Sequence, residues 1–194
     1  MNSKYILSFL FLIIAAMPLQ AQKKSSYIHP QQVKSGIGIT FTGTGDMMGT
    51  SLFTEYHYFL NNYASLSSAL SFKFFKDDSD GLLINEHMKD VELGAYLHPL
   101  HGDDFSFFFG GGVMLREFYF SVATDPVTNY QFDDTYVPTA SSYSTTQYGI
   151  GYSVCAGFSF KLKQDIDFTF QEKLQNDTNG NITWDSQIGV IFSF

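Results

Sequence analysis

The chain has 194 residues, 11 Lys and Arg against 19 Asp and Glu, a net charge of −8, and one cysteine. That charge excludes a nucleic-acid binder, whose target calls for a basic surface, and the lone Cys155 excludes an internal disulfide framework. An aromatic share of 18%, with 21 Phe and 12 Tyr, is high for a soluble domain and points to lipid-facing surface with interfacial girdles.

Residues 1–21 have the form of a secretory signal peptide. Lys4 supplies the positive region, Ile6 to Ala16 an apolar run, and Leu19-Gln20-Ala21 a small residue at the cut, with Gln22 as the new amino terminus. The run is shorter than the about 20 apolar residues of a spanning helix. Residues 22–33 are expected as a periplasmic segment and 34–194 as one domain.

From residue 34 onward the period is two throughout, in eight segments. They run over 35–43, 50–59, 64–76, 87–98, 105–118, 147–160, 165–174 and 182–194. In the third, Leu66, Leu70, Phe72 and Phe74 oppose Ser65, Ser67, Ser71 and Lys73. In the sixth, Tyr148, Ile150, Tyr152, Val154, Phe158 and Phe160 oppose Gly149, Gly151, Ser153, Cys155 and Gly157. Each segment is near the length a tilted strand needs to cross a bilayer. Bulky apolar faces overfill the narrow interior of a small barrel, so they are expected outside against lipid, with Ser, Thr and Gly filling the lumen.

Connectors alternate between short (60–63, 99–104, 161–164) and long (44–49, 77–86, 119–146, 175–181), as periplasmic turns and extracellular loops do. The fold expected is all-β: an eight-stranded antiparallel up-and-down transmembrane β-barrel with both termini periplasmic. For the third and fourth strands, a register pairing Phe72 with Val91, Leu70 with Leu93 and Leu66 with Leu97 sets Lys73 opposite Asp90.

Interior-facing charges are Glu55, Lys73, Asp90, Glu92, Arg116, Asp167 and Lys173. Both signs are present, so a salt-bridged polar plug is favoured over an ion path or a catalytic carboxylate pair at Asp90 and Glu92. Among the histidines, His98 and His101 have the tightest spacing, but they fall in an expected turn without the remaining ligands of a metal site. His57 and Glu55 share a face with no serine that sequence can place beside them. No phosphate-cradling or dinucleotide motif occurs, so no cofactor is expected. The third outer loop carries Asp125, Asp133 and Asp134 without Lys or Arg, together with Tyr130, Tyr136 and Tyr143, a composition suited to recognition.

The last residues place Gln187, Gly189, Phe192 and Phe194 at the spacing of the terminal signal that hands outer-membrane barrels to their assembly machinery. With the strand count and the loop asymmetry, the mature chain resembles the small outer-membrane β-barrel family that includes the OmpX-like and OmpA-like barrels. The leader ending in Gln20-Ala21-Gln22 is similar to those of its Bacteroidota members. The resemblance implies outer-membrane lipid, lipopolysaccharide and the barrel-assembly machinery as partners. With the chain ending at the eighth strand, no wall-tethering domain is expected.

The function expected is non-enzymatic: a barrel anchoring surface loops for an extracellular or envelope partner, or for envelope integrity. Two alternatives are an accessory component of an outer-membrane secretion or assembly complex and a lipid A-modifying enzyme. The His-x-Ser-Asn signature of the small-barrel deacylases is absent.

Overall fold

The computed structural model describes residues 31–43, 47–79, 82–102, 104–124 and 142–194. The signal peptide expected over 1–21 lies outside them, as does most of the segment expected before the barrel. Eight strands follow one another: β1 (Gln31–Thr42), β2 (Met47–Asn61), β3 (Ala64–Ser79), β4 (Leu82–His101), β5 (Phe105–Thr124), β6 (Ser142–Lys163), β7 (Ile166–Asp177) and β8 (Ile182–Ser193). Each pairs antiparallel with its neighbours, and β8 pairs with β1 to close the barrel. Closure leaves no strand edge within the ring, which is what lets strands cross hydrocarbon, where an unpaired N–H or C=O is costly.

The stagger can be followed residue by residue. From Phe160 on β6 the cross-strand partners are Phe168, Val190, Ser35, Thr54, Leu70, Val91, Leu115 and then Ile150, again on β6. One circuit therefore climbs from position 160 to position 150 of the same strand, and this offset is the strand tilt of a closed sheet. All these partners point outward. Ile37, Leu52, Leu93, Val113, Leu115 and Ile150 are among many large apolar side chains exposed around the barrel, a continuous band far beyond what a water-soluble surface carries.

Three expectations are corrected. The strands of β3–β6 run well past the expected ends. The ladder continues to Ser79↔Leu82 and to Ala123↔Ser142, so most of the loop expected at 77–86 and both flanks of 119–146 are paired strand. Alternation marks a strand only where one face meets lipid; beyond the membrane, pairing continues without it. At the other end β1 begins at Gln31, so Gln31 to Val33 belong to the ladder, and β4 carries His98 and His101 within strand rather than turn.

The β3–β4 register is offset by two residues: Leu70 faces Val91, Phe72 faces Lys89 and Asp90 faces Ser71. A two-residue slip keeps every side chain on its own face, so the apolar pattern cannot detect it. Lys73 and Asp90 still meet diagonally, at 3.4 Å.

The lumen, finally, is not only polar. Phe53, Phe59, Phe75, Tyr96, Phe108 and Phe118 are buried inside it. Glycines make the room. A Cβ on Gly110 would meet the Ala95 carbonyl at 2.3 Å and the Tyr96 ring at 2.8 Å, and one on Gly157 would meet Phe108 at 2.6 Å.

Candidate functional site

The lumen is layered. Toward the long-loop end, Phe75, Met88 and Phe118 pack together, with Met47 and Phe120 against them. Beneath them lies a charged layer centred on Arg116. Its Nε and Nη2 donate to the two oxygens of Asp90 at 2.6 and 2.9 Å, and its Nη1 lies 3.7 Å from Asp177. Lys73 pairs with Asp185 at 2.9 Å and donates to Gln175 and Thr183, which also accept from Arg116. Lys173 pairs with Glu92 at 2.9 Å, and Ser153 donates to the other Glu92 oxygen at 2.7 Å.

Lower still, Lys34 pairs with Glu55 at 2.7 Å, donates to Gln171, and lies 4.7 Å from the centre of the Phe108 ring. Gln171 in turn donates to Gln187. Charges taken out of water need such partners, since an unpaired one costs several kcal/mol.

Six of the seven expected interior charges, Glu55, Lys73, Asp90, Glu92, Arg116 and Lys173, are thus in one linked set of ion pairs and amide bridges. Asp167 sits at the short-turn end, lining a small cavity with His57, His98 and His101. Sequence reasoning missed Lys34, Asp177 and Asp185. Lys34 lies just before the first expected segment, Asp177 falls in an expected loop, and Asp185 alternates onto the polar face of the eighth segment, where the pattern offers no partner to mark it.

Ser65 is another residue that only the fold supplies. Its hydroxyl lies 3.2 Å from Nδ1 of His57, whose Nε2 is 3.4 Å from Glu55, and 2.9 Å from Nε2 of His98. The types are those of a nucleophile, a base and an orienting acid. The adjoining cavity is about 20 Å³, room for about one water and not for an acyl chain. The three side chains are closed in by Phe59 and Tyr96, both buried. Among the described residues no group of His, Cys, Asp and Glu has the geometry to hold a metal ion. Cys155 is a free thiol packed with Tyr96 and Phe108.

On the outer face the terminal residues divide by parity. Gln187 and Gly189 face the lumen, while Phe192 and Phe194 are exposed on the apolar band. Glu172 also faces outward, where it accepts from the Trp184 indole and from Ser186 on β8. Of the expected recognition residues, Asp125, Tyr130, Asp133, Asp134 and Tyr136 lie outside the described residues, whereas Tyr143 is exposed on β6.

A closed up-and-down barrel with an apolar outer band and a lumen packed by paired charges is a transmembrane β-barrel of the outer-membrane type. The solved structures similar to it are of that kind. Neisserial surface protein A is 14% identical over 85% of this chain and 97% of its own, with a TM-score of 0.58. OprG of Pseudomonas aeruginosa is 14% identical over 87% of this chain and 97% of its own, at 0.58. Ail of Yersinia pestis is 12% identical over 86% and 100%, at 0.54. The likeness is one of fold: the chain is built as the small eight-stranded outer-membrane barrels are. The sequence matches no protein-family model and no curated protein.

Proposed function

We propose that the chain is an integral, non-enzymatic outer-membrane protein whose sealed barrel holds up a surface for a partner outside the cell, with both termini on the periplasmic side. The carrying observation is an asymmetry of height. β4, β5 and β6 have 20, 20 and 22 residues, against 12 in β1, β7 and β8. The β6–β7 ladder ends at Gly151↔Asp177, whereas β5–β6 continues to Ala123↔Ser142.

A sheet of β3–β6 therefore rises past the band, and among the described residues no strand pairs with the β7-side edge of β6 from Ser142 to Gln147. Such an edge offers main-chain donors and acceptors to an added strand. Tyr143 and Tyr148 stand exposed beside it. An even strand number puts both chain ends on the side of the short turns, which supports their periplasmic placement.

The chemistry outside favours a neutral or basic partner. Ail has been solved in complex with the heparin analogue sucrose octasulfate. Here the stretch between β5 and β6 carries Asp125, Asp133 and Asp134 without Lys or Arg, which repels a polyanion. Accessory membership of a secretion complex would use the same raised edge, with an envelope protein as the added strand.

Cells displaying the protein test the reading. Replacing residues 125–141 by a short Gly-Ser linker should lower surface adhesion about tenfold or more, the loss of ~1.4 kcal/mol of contact. Heat-modifiable migration in gels should persist, since the barrel ladder is untouched. Undiminished adhesion would remove this function.

A further inference from the structure

The outer face of β3–β6 changes character in steps. Leu70, Val91, Leu115 and Ile150 are partners across four strands and form a wholly apolar row. The next row toward the long-loop end is Phe72, Lys89, Glu117 and Tyr148, followed by Phe74, His87, Tyr119 and Thr146. His87 stacks on Tyr119 at 5.9 Å and meets Phe74 edge-on at 5.5 Å. Lys76, Asn85, Ser121 and Ser144 come next, with no apolar member. Aliphatic side chains give way to aromatic and charged ones within two residues, the signature of the level where acyl chains end and headgroups begin.

At that level Lys89 and Glu117 face each other directly, 2.6 Å apart, with side chains 55% and 33% exposed. Against the pair lies a groove of about 610 Å³, within the size range of ligand sites. Its floor is Leu70, Phe72, Val91, Leu115 and Ile150, and Tyr148 and Thr178 stand at its rim. The groove exists because β6 parts from β7 above Gly151↔Asp177. There the turn after β7 takes over, with the Thr178 N–H donating to the Ile150 carbonyl at 2.9 Å.

A cation and an anion side by side over an apolar trough select by charge pattern. A purely anionic head meets repulsion from Glu117, and a purely cationic one from Lys89. A head carrying a phosphate and a primary ammonium a few bonds apart matches both. We propose that this groove binds a lipid with a phosphoethanolamine headgroup. The phosphate sits on Lys89 and the Tyr148 hydroxyl, the ammonium donates to Glu117, and an acyl chain lies along Leu70, Val91, Leu115 and Ile150. The site shares with the proposed function only the placement of the band in a membrane, and it needs no surface partner.

Native mass spectrometry of the full-length barrel, released from detergent containing equal amounts of three lipids, tests it. Palmitoyl-oleoyl phosphatidylethanolamine should be retained as a single bound copy about tenfold over the phosphatidylglycerol and phosphatidylcholine analogues, a difference of ~1.4 kcal/mol. The glycerol head lacks the ammonium, and the choline head lacks its N–H donors. Lys89→Gln and Glu117→Gln should each abolish the preference. Leu115→Trp should block retention by filling the trough while leaving both charges in place, and heat-modifiable migration reports folding of every variant. Equal retention of the three lipids, a preference for phosphatidylglycerol, or a preference that survives Lys89→Gln or Glu117→Gln in folded protein would overturn the proposal. Loss of adhesion after replacement of residues 125–141, with lipid selectivity intact, separates the two readings.

Discussion

Arg116 is the residue on which the lumen turns. Its guanidinium has a fixed fork geometry that matches the Asp90 carboxylate, and a neighbouring N–H reaches Gln175 and Thr183. Buried in this network are the cations Lys34, Lys73, Arg116 and Lys173 and the anions Glu55, Asp90, Glu92, Asp177 and Asp185. Removing Arg116 worsens an excess of negative charge in a medium that solvates it poorly. Arg116→Met should therefore cost about 3–5 kcal/mol, read as a lower urea midpoint for unfolding from lipid vesicles. Arg116→Lys keeps the charge but loses the fork, and should cost less. A wild-type midpoint for Arg116→Met would mean that packing, not charge pairing, holds the lumen.

At the scale of elements, register carries the information that side-chain pattern does not. Leu70 lies directly opposite Val91 on the lipid face, and Leu93 is two residues beyond it toward the short turns. Cysteines at 70 and 91 should form a disulfide readily on mild oxidation, with the Cys155 thiol buried away from them. Cysteines at 70 and 93, too far apart for the about 5.5–6 Å usual between bridged Cα atoms, should not. A bridge at 70 and 93 alone would return the β3–β4 hairpin to the register that apolar matching favours. The same two-residue difference decides whether Lys89 or Val91 flanks Phe72, and so whether the charged pair stands at the edge of the apolar band.

The whole molecule is a closed cylinder without a through-path among the described residues. Arg116, Lys34, Lys73, Tyr96, Gln171, Gln175 and Gln187 are each less than 2% exposed and reach into the lumen from different strands. Phe75, Met88 and Phe118 close one end of that layer, and Phe59 with His98 the other. An ion crossing this interior would have to part paired charges and shed its water, and eight strands leave no width to spare. Planar bilayers containing the purified protein should accordingly show no steady conductance. Regular stepwise openings would show that the plug moves. The energy of the lumen then goes into anchoring, which suits a barrel whose upper strands stand above the band.

Sequence by itself determined the strand number and the face each residue occupies, and put Glu55, Lys73, Asp90, Glu92, Arg116 and Lys173 on the inner face while passing over Lys34, Asp177 and Asp185, because a period of two survives any detail of packing but does not show which charges meet. It also placed Gly149, Gly151, Cys155 and Gly157 in the lumen. The tertiary structure decided what is invisible to that period. It set the two-residue register of β3 on β4, the length of strand above the membrane where both faces meet water, and which charges meet. Lys34 reaches Gln171 on β7 across the lumen, and Lys73 reaches Asp185 on β8. Those contacts join residues far apart in the chain, and only closure of the tilted sheet brings them within hydrogen-bonding distance.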